Sequence, residues 1–288
     1  MTLKAGLPAW TSLLYMPAHT VRVEPFPMGC RPDAVVLDLE DFVPEAEKAR
    51  ARARIGELVR GFTAHGIDVL VRINRPLDEA VADLREAVRA EVRGVLVTKA
   101  CGAQHLELLG EFVSSLEVRS GLPDGHTRFV PLVETAAGLQ QIEAIAAGSP
   151  RNAAIALGGE DLARECRMLA GRDTLAHAKA RLVAAAVAAG ILPWGYLGSV
   201  ADFRGGDDFR ALVAASRDFG FRAATCLRAE QVDGANAGYA PQEEELAWAY
   251  ALPAHASPSD QAEAAWLLGR AASAARRPTF STNLLSSS

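Results

Sequence analysis

Residues 34–50 read AVVLDLEDFVPEAEKAR. Ala34, Val35, Val36 and Leu37 are apolar at successive positions in a run too short for a helix, the pattern of a strand buried on both faces. The run ends in Asp38, Glu40 and Asp41 and then passes Pro44 into a helical pattern. Unpaired carboxylates are costly beside a buried strand, so partners for them are expected from neighbouring strands. A strand that returns through a helix is one βα unit, and the unit recurs along the chain. Strands are expected at 12–16, 34–39, 68–73, 94–98, 128–133, 153–157, 191–197 and 223–227. Helices are expected at 45–65, 78–90, 104–121, 136–147, 173–189 and 207–219, several of them closed by glycine.

Repetition of this unit predicts a TIM (β/α)8 barrel, with a doubly wound sheet as the alternative. The first crossover, 17–33, is only weakly helical. Further helices at 242–250 and 260–275 follow the last strand. No Ser/Gly-rich linker divides the chain, so the expected organisation is a barrel over 1–240, a helical extension over 241–277 and a disordered tail over 278–288.

The 288 residues are 50% hydrophobic and carry a formal net charge of -5. The acidic balance and the lack of a basic block argue against nucleic acid as a partner and leave small molecules or proteins. Cys30, Cys101, Cys166 and Cys226 are widely spaced, with neither a C-x-x-C pair nor clustered histidines, which suits reduced thiols in the cytoplasm better than zinc or a disulfide framework. The beginning of the chain lacks the apolar core of a signal peptide, and no later run approaches a membrane span.

In a TIM barrel the chemistry sits at the C-terminal ends of the strands. There the second strand brings Asp38, Glu40 and Asp41, the third Arg72 and Asn74, the fourth Lys99, the fifth Glu134 and Thr135, the sixth Gly158, Gly159, Glu160 and Asp161, and the eighth Arg228. Arg72 and Lys99 can neutralise the second-strand acids, either as a structural network or as part of a site. The rigid fork of Arg72 also suits a substrate carboxylate. Glu134 and Asp161, at the ends of adjacent strands, can reach one hard cation such as Mg2+; equally, Thr135 can be a helix cap and Glu160 and Asp161 can simply favour a helix N-terminus. Gly158 and Gly159 permit close approach of a ligand, and glycine also marks any tight turn. Lys99 among carboxylates is expected to stay protonated, which disfavours a Schiff base.

Ordered stretches along residues 11–250 resemble the HpcH/HpaI aldolase and citrate lyase beta-subunit family: TSLLYMPA at 11–18, VVLDLEDFV at 35–43, VRIN at 71–74, VTKA at 97–100, PLVETAAGL at 131–139, ALGGEDLA at 156–163 and DFGFRAATCLRAEQV at 218–232. The resemblance implies a magnesium-dependent barrel that makes or breaks carbon–carbon bonds. It implies Glu134 and Asp161 as metal ligands, Arg72 as the holder of an oxaloacetate-like carboxylate, and Glu40 and Asp41 as support for Arg72 and metal-bound water. Lys99, Gly159 and Glu160 complete the expected substrate contacts. The implied reaction is cleavage of a 3-hydroxyacyl-CoA of citryl-CoA or malyl-CoA type to acetyl-CoA and a 2-oxo acid. A homo-oligomer, a trimer or larger ring, is implied by the same likeness.

Departures from the family pattern cluster. Thr11 stands where arginine is usual, Ala224 replaces a lysine, Arg228 falls near a usual His-Pro pair, and Trp194 replaces an acid. Asp260 is the nearest substitute for an aspartate that some relatives carry on a C-terminal lid. Two further readings therefore remain: an aldolase acting on a free 2-oxo acid with the same metal site but no CoA, and a silent barrel that binds a dicarboxylate.

Overall fold

Residues 34–38 form a strand buried at every position. It is one of eight parallel strands in the computed structural model, which describes residues 3–4, 6–23 and 30–275. The strands are β1 (Ser12–Pro17), β2 (Ala34–Asp38), β3 (Asp68–Ile73), β4 (Val92–Val97), β5 (Arg128–Val133), β6 (Ala154–Leu157), β7 (Leu192–Trp194) and β8 (Ala224–Cys226). They pair in the order β7-β6-β5-β4-β3-β2-β1-β8. Trp194 forms a parallel bridge with Ala223, and the Gly195 N–H donates to the Ala223 carbonyl at 2.9 Å, so the two end strands meet. Sequential order and closure make this a barrel and exclude a doubly wound sheet, which is open and reverses its strand order.

Alternation along each strand divides the apolar residues into two cores. Leu13, Ala34, Val36, Leu70, Leu96, Leu132 and Trp194 fill the barrel. Val35, Leu37, Val69, Val71, Val95 and Val133 instead pack outward against helices. Those helices are α1 (Lys48–Ala64), α2 (Leu77–Ala87), α3 (Ala103–Arg119), α4 (Ala136–Gln140), α5 (Ile142–Ala147), α6 (Gly159–Glu165), α7 (Ala176–Ala189), α8 (Gly206–Phe219), α9 (Val232–Gly238), α10 (Glu243–Ala251) and α11 (Pro258–Ala275).

The elements differ from expectation where local geometry intervenes. The helix expected at 136–147 is interrupted at Gln141, whose ψ of 13° is not helical. The seventh strand is shorter than 191–197 because Gly195, at φ +149°, turns the chain away. In the first crossover, residues 24–29 lie outside the described residues, and the flanking described residues form no helix. The expected tail, 278–288, also lies outside the described residues.

The C-terminal helices cover the end of the barrel where the strands begin. Trp266 Nε1 donates to the Pro8 carbonyl at 3.3 Å, and Arg270 donates to Thr11 Oγ1 at 3.1 Å and to the Tyr239 carbonyl at 2.5 Å. Trp10 meets Trp194 edge-on with ring centroids 5.9 Å apart, and Ala249, Trp266 and Leu267 share their core. The same end carries a buried ion pair. Arg151, just before β6, donates to both oxygens of Glu117 at 2.9 and 2.8 Å, and the backbone N–H groups of Gly125 and Thr127 donate to the same carboxylate. Among the described residues no helix is long and apolar enough to cross a membrane.

Candidate active site

The inward-facing series of several strands turns polar at its last position. Tyr15 follows Leu13, Asp38 follows Ala34 and Val36, Arg72 follows Leu70, and Glu134 follows Leu132. Register fixes their heights: Asp38 is paired with Pro17 on one side and with Arg72 on the other. Adjacent strands thus bring Asp38 and Arg72 together without any loop rearrangement. Arg72 Nη2 donates to Asp38 Oδ2 at 2.8 Å, and its Nε donates to Asp38 Oδ1. Arg72 Nη1 lies 3.2 Å from Glu40 Oε2. The guanidinium also lies 4.9 and 4.8 Å from the ring centroids of Tyr15 and Phe42, which meet each other edge-on. Most of the fork expected to receive a substrate carboxylate is therefore held by the chain's own acids, which leaves the outer N–H groups of the two Nη atoms for a ligand. Asp38 also accepts from the backbone N–H groups of Glu40 and Phe42, which fixes the turn after β2.

Lys99 joins this network from β4. Its Nζ donates to Glu40 Oε1 at 2.5 Å and lies 3.9 Å from both Asp41 Oδ2 and Asp161 Oδ2. Burial lowers the affinity of Lys99 for its proton, but the Glu40 hydrogen bond and the charges of Glu40, Glu134 and Asp41 outweigh it and leave the pKa raised. The ammonium is thus held in its protonated, non-nucleophilic form. Lys99 adopts φ +47°, unusual for a residue with a Cβ. In that conformation its backbone N–H donates to Glu134 Oε2 at 2.8 Å.

Glu134 is buried, and burial raises its pKa to about 7, with the nearby charge of Glu40 adding to the rise against the Lys99 N–H and the two cations. Burial also raises Glu40, although Arg72 and Lys99 oppose the shift. Gly158 explains how Glu134 fits: a Cβ there would lie 2.5 Å from Glu134 Oε1. Asp161, in the first turn of α6, is 19% exposed and pairs with Arg164 at 2.5 Å. Thr135 does cap α4, accepting from the Gly138 N–H at 3.0 Å.

Asp41, Arg72, Lys99, Glu134, Gly159, Glu160 and Asp161 line one cavity of about 890 Å³. Glu40 lies behind it, joined through Arg72 and Lys99. Tyr15 and Lys179 also line the cavity and were not among the expected site residues. Tyr15 continues the alternation of Leu13, so period two along β1 could have found it. Lys179, in the first turn of α7, carries no signal in the sequence.

The departures from the family pattern fall into place by position. Thr11 immediately precedes β1 at the opposite end of the barrel, where Arg270 supplies a guanidinium, and it does not line the cavity. Ala224 is buried within β8. Arg228 donates to the Ala201 and Phe203 carbonyls, anchoring a loop that lines the cavity, and does not itself line it. Trp194 packs on Trp10 and forms part of the cavity floor. Asp260 lies in the first turn of α11, where its N–H donates to the capping Ser257 Oγ and its carboxylate accepts from that hydroxyl at 2.8 Å, and it is absent from the cavity wall.

Glu134 and Asp161 are hard oxygen donors, and the glycine beside Glu134 leaves room for close approach. Among the described residues no three His, Cys, Asp or Glu side chains are grouped to hold a metal ion. Two carboxylates fit an ion that keeps several waters and takes ligand oxygens, which is the habit of Mg2+ and not of softer metals.

Residues 12–229 match the model of the HpcH/HpaI aldolase/citrate lyase family. The chain belongs to this family. Citrate lyase subunit beta of Haemophilus influenzae is 28% identical over 239 residues, covering 82% of this chain and 81% of the relative. An L-malyl-CoA/beta-methylmalyl-CoA lyase of Cereibacter sphaeroides is 31% identical over 262 residues, covering 79% and 81%. Among solved structures, the protein CitE of Mycobacterium tuberculosis in complex with magnesium, acetoacetate and coenzyme A is 25% identical, with a TM-score of 0.61 and coverage of 93% of this chain and 98% of that one.

Proposed function

We propose that this chain is a magnesium-dependent carbon–carbon lyase that cleaves a CoA thioester of a 3-hydroxy acid, of citryl-CoA or malyl-CoA type, into acetyl-CoA and a 2-oxo acid such as oxaloacetate. The observation that carries the reading is that Glu134 and Asp161 line the same cavity, whose acids outnumber their basic partners. Relatives named as citrate lyase beta subunit and malyl-CoA lyase support it. So does the likeness to a protein solved with magnesium, acetoacetate and coenzyme A.

Glu134 and Asp161 are the residues to hold Mg2+. When bound, the ion supplies Lewis-acid polarisation of the oxygen that becomes the ketone of the 2-oxo acid. The other groups bind and orient. Lys99 places its backbone N–H on Glu134 and fixes the direction of that carboxylate, while its ammonium holds Glu40. Glu40 and Asp38 fix the plane of Arg72, so that its outer N–H groups meet a carboxylate in one orientation. Asp41, half-exposed at the rim, takes the hydroxyl proton as the carbon–carbon bond breaks; the electron pair of that bond is left as the thioester enolate, which takes up a proton to become acetyl-CoA. A homo-oligomer forms part of the same reading, by likeness to the family alone.

The test is product analysis of a panel of thioesters and free acids, with and without Mg2+. The reading expects a CoA thioester to yield a 2-oxo acid and a shorter acyl-CoA only when Mg2+ is present. Turnover of free 2-oxo acids alone supports the CoA-independent aldolase, hydrolysis to a free hydroxy acid and CoA overturns the cleavage, and metal-dependent binding without turnover supports a silent dicarboxylate binder.

A further inference from the structure

Four cations line the cavity, and three have acids beside them. Arg72 is held by Asp38 and Glu40, Lys99 by Glu40, and Arg164 by Asp161. Lys179 differs. Among the described residues no carboxylate lies within ion-pair distance of it, although it is only 5% exposed. Its Nζ donates to the Leu197 carbonyl at 2.5 Å. An ammonium has three N–H groups, so this bond leaves donors to spare.

Its place in the helix makes this arrangement less favourable still. Lys179 is the fourth residue of α7, near the helix end whose backbone dipoles favour anions and disfavour cations. Burial lowers its pKa to about 8, and the charge of Glu160 opposes that shift without reversing it. A buried, unpaired cation in the first turn of a helix does not stabilise a fold. A bound anion would relieve every one of these penalties.

The topology says where such an anion belongs. In the closed order of eight strands, β7 lies across the barrel from β3. Lys179 is tied to the loop that follows β7, whereas Arg72 lies near the end of β3. A ligand spanning the cavity can reach Arg72 on one side and Lys179 on the other.

We propose that Lys179 recognises an oxyanion that the ligand carries in addition to the groups held by the acid-rich wall. The inference deepens the reading of this site as one for acids and their CoA thioesters, and it restricts the class of ligand. The acid has a second carboxylate, or the thioester places a phosphate in this arm of the cavity. A single cation with no partner matches the single charge of a carboxylate.

Calorimetric titration of the whole chain with Mg2+ present tests this in wild type, Lys179→Met and Lys179→Arg, with two pairs of probes. L-malate against L-lactate reads a second carboxylate, and acetyl-CoA against acetylpantetheine reads the phosphates. The expected result is that Lys179→Met weakens malate about tenfold while leaving lactate unchanged, the size of a charge-assisted hydrogen bond. Lys179→Arg should keep the preference for malate. Selective loss on acetyl-CoA alone supports the same subsite with phosphate as its anion. Equal loss on all four probes, no loss, or a wild type without preference within either pair overturns the proposal and leaves Lys179 as a prop for the loop at Leu197. Because binding and not cleavage is read, failure of the lyase reading leaves a preference that stands by itself. A melting curve for each variant, with Lys179→Gln as a further neutral replacement, separates loss of the anion contact from loss of the fold.

Discussion

At the end of the barrel where the strands begin, Glu117 receives two N–H groups from Arg151 and two from the backbone, whereas at the other end Glu40, Asp41, Glu134 and Asp161 gather around Lys99 with Arg72 already committed to Asp38. The consequences for the acids are opposite. Burial tends to raise Glu117, but Arg151 and the Thr127 and Gly125 N–H groups hold its pKa below the usual carboxylate value. Burial raises Glu40 and Glu134, and their partners do not bring them back. Charged Glu117 stabilises the fold; charged Glu134 costs stability and is retained in a cavity where a cation can offset that cost. One network closes the fold and the other keeps a site open.

The largest effect expected at the open end follows Glu134→Gln. Mg2+-dependent turnover should fall about a thousandfold or more, as loss of a charge-stabilising metal requires. The melting temperature should hold or rise, since a buried charge has been removed. At the closed end, Arg151→Met should cost about 3–5 kcal/mol in urea unfolding, because Glu117 is left buried and unpaired. Adding Glu117→Gln should recover much of that loss. If both single variants lost only stability, or both lost only activity, the contrast between the two ends would fail.

Smaller changes sharpen the same contrast. Gly158→Ala keeps an ordinary backbone conformation but drives a methyl group into the Glu134 carboxylate, and should weaken Mg2+ about tenfold, in the range seen when groups supporting a metal ligand are altered. Acid should act through Glu117. A carboxylate held below its ordinary pKa contributes fully above the ordinary value and loses its contribution as pH falls through the lowered one. The stability lost below about pH 4.5 should therefore shrink in Glu117→Gln, as followed by urea unfolding across that range. The smallest effect belongs to Asp124, which also meets Arg151 but is 79% exposed: Asp124→Asn should cost less than about 1 kcal/mol.

Much of the open end could be read from the sequence because its acids continue inward-facing strand positions. Asp38 after Val36 and Glu134 after Leu132 need only the period of two, and Arg72 sits beside Asp38 by parallel register. The strand at 68–73 was also legible at both ends. The seventh strand was read too long because the conformation of Gly195 turns the chain, and apolar periodicity does not report a dihedral angle. The interruption at Gln141 is equally invisible to a helical pattern. Thr11 is a changed residue, yet it immediately precedes a strand and therefore belongs to the closed end. Lys179 was illegible for another reason. A lysine in a helical first turn reads as solvated surface, and only the fold of the loop around Leu197 buries it.

Magnesium titration calorimetry on Glu134→Gln, run beside wild type and Arg151→Met with melting curves for all three, tests the account most directly. Glu134→Gln is expected to lose Mg2+ binding without losing stability, and Arg151→Met to bind Mg2+ like wild type while melting lower. Normal Mg2+ binding by Glu134→Gln, or a melting temperature that falls as far as that of Arg151→Met, would contradict it.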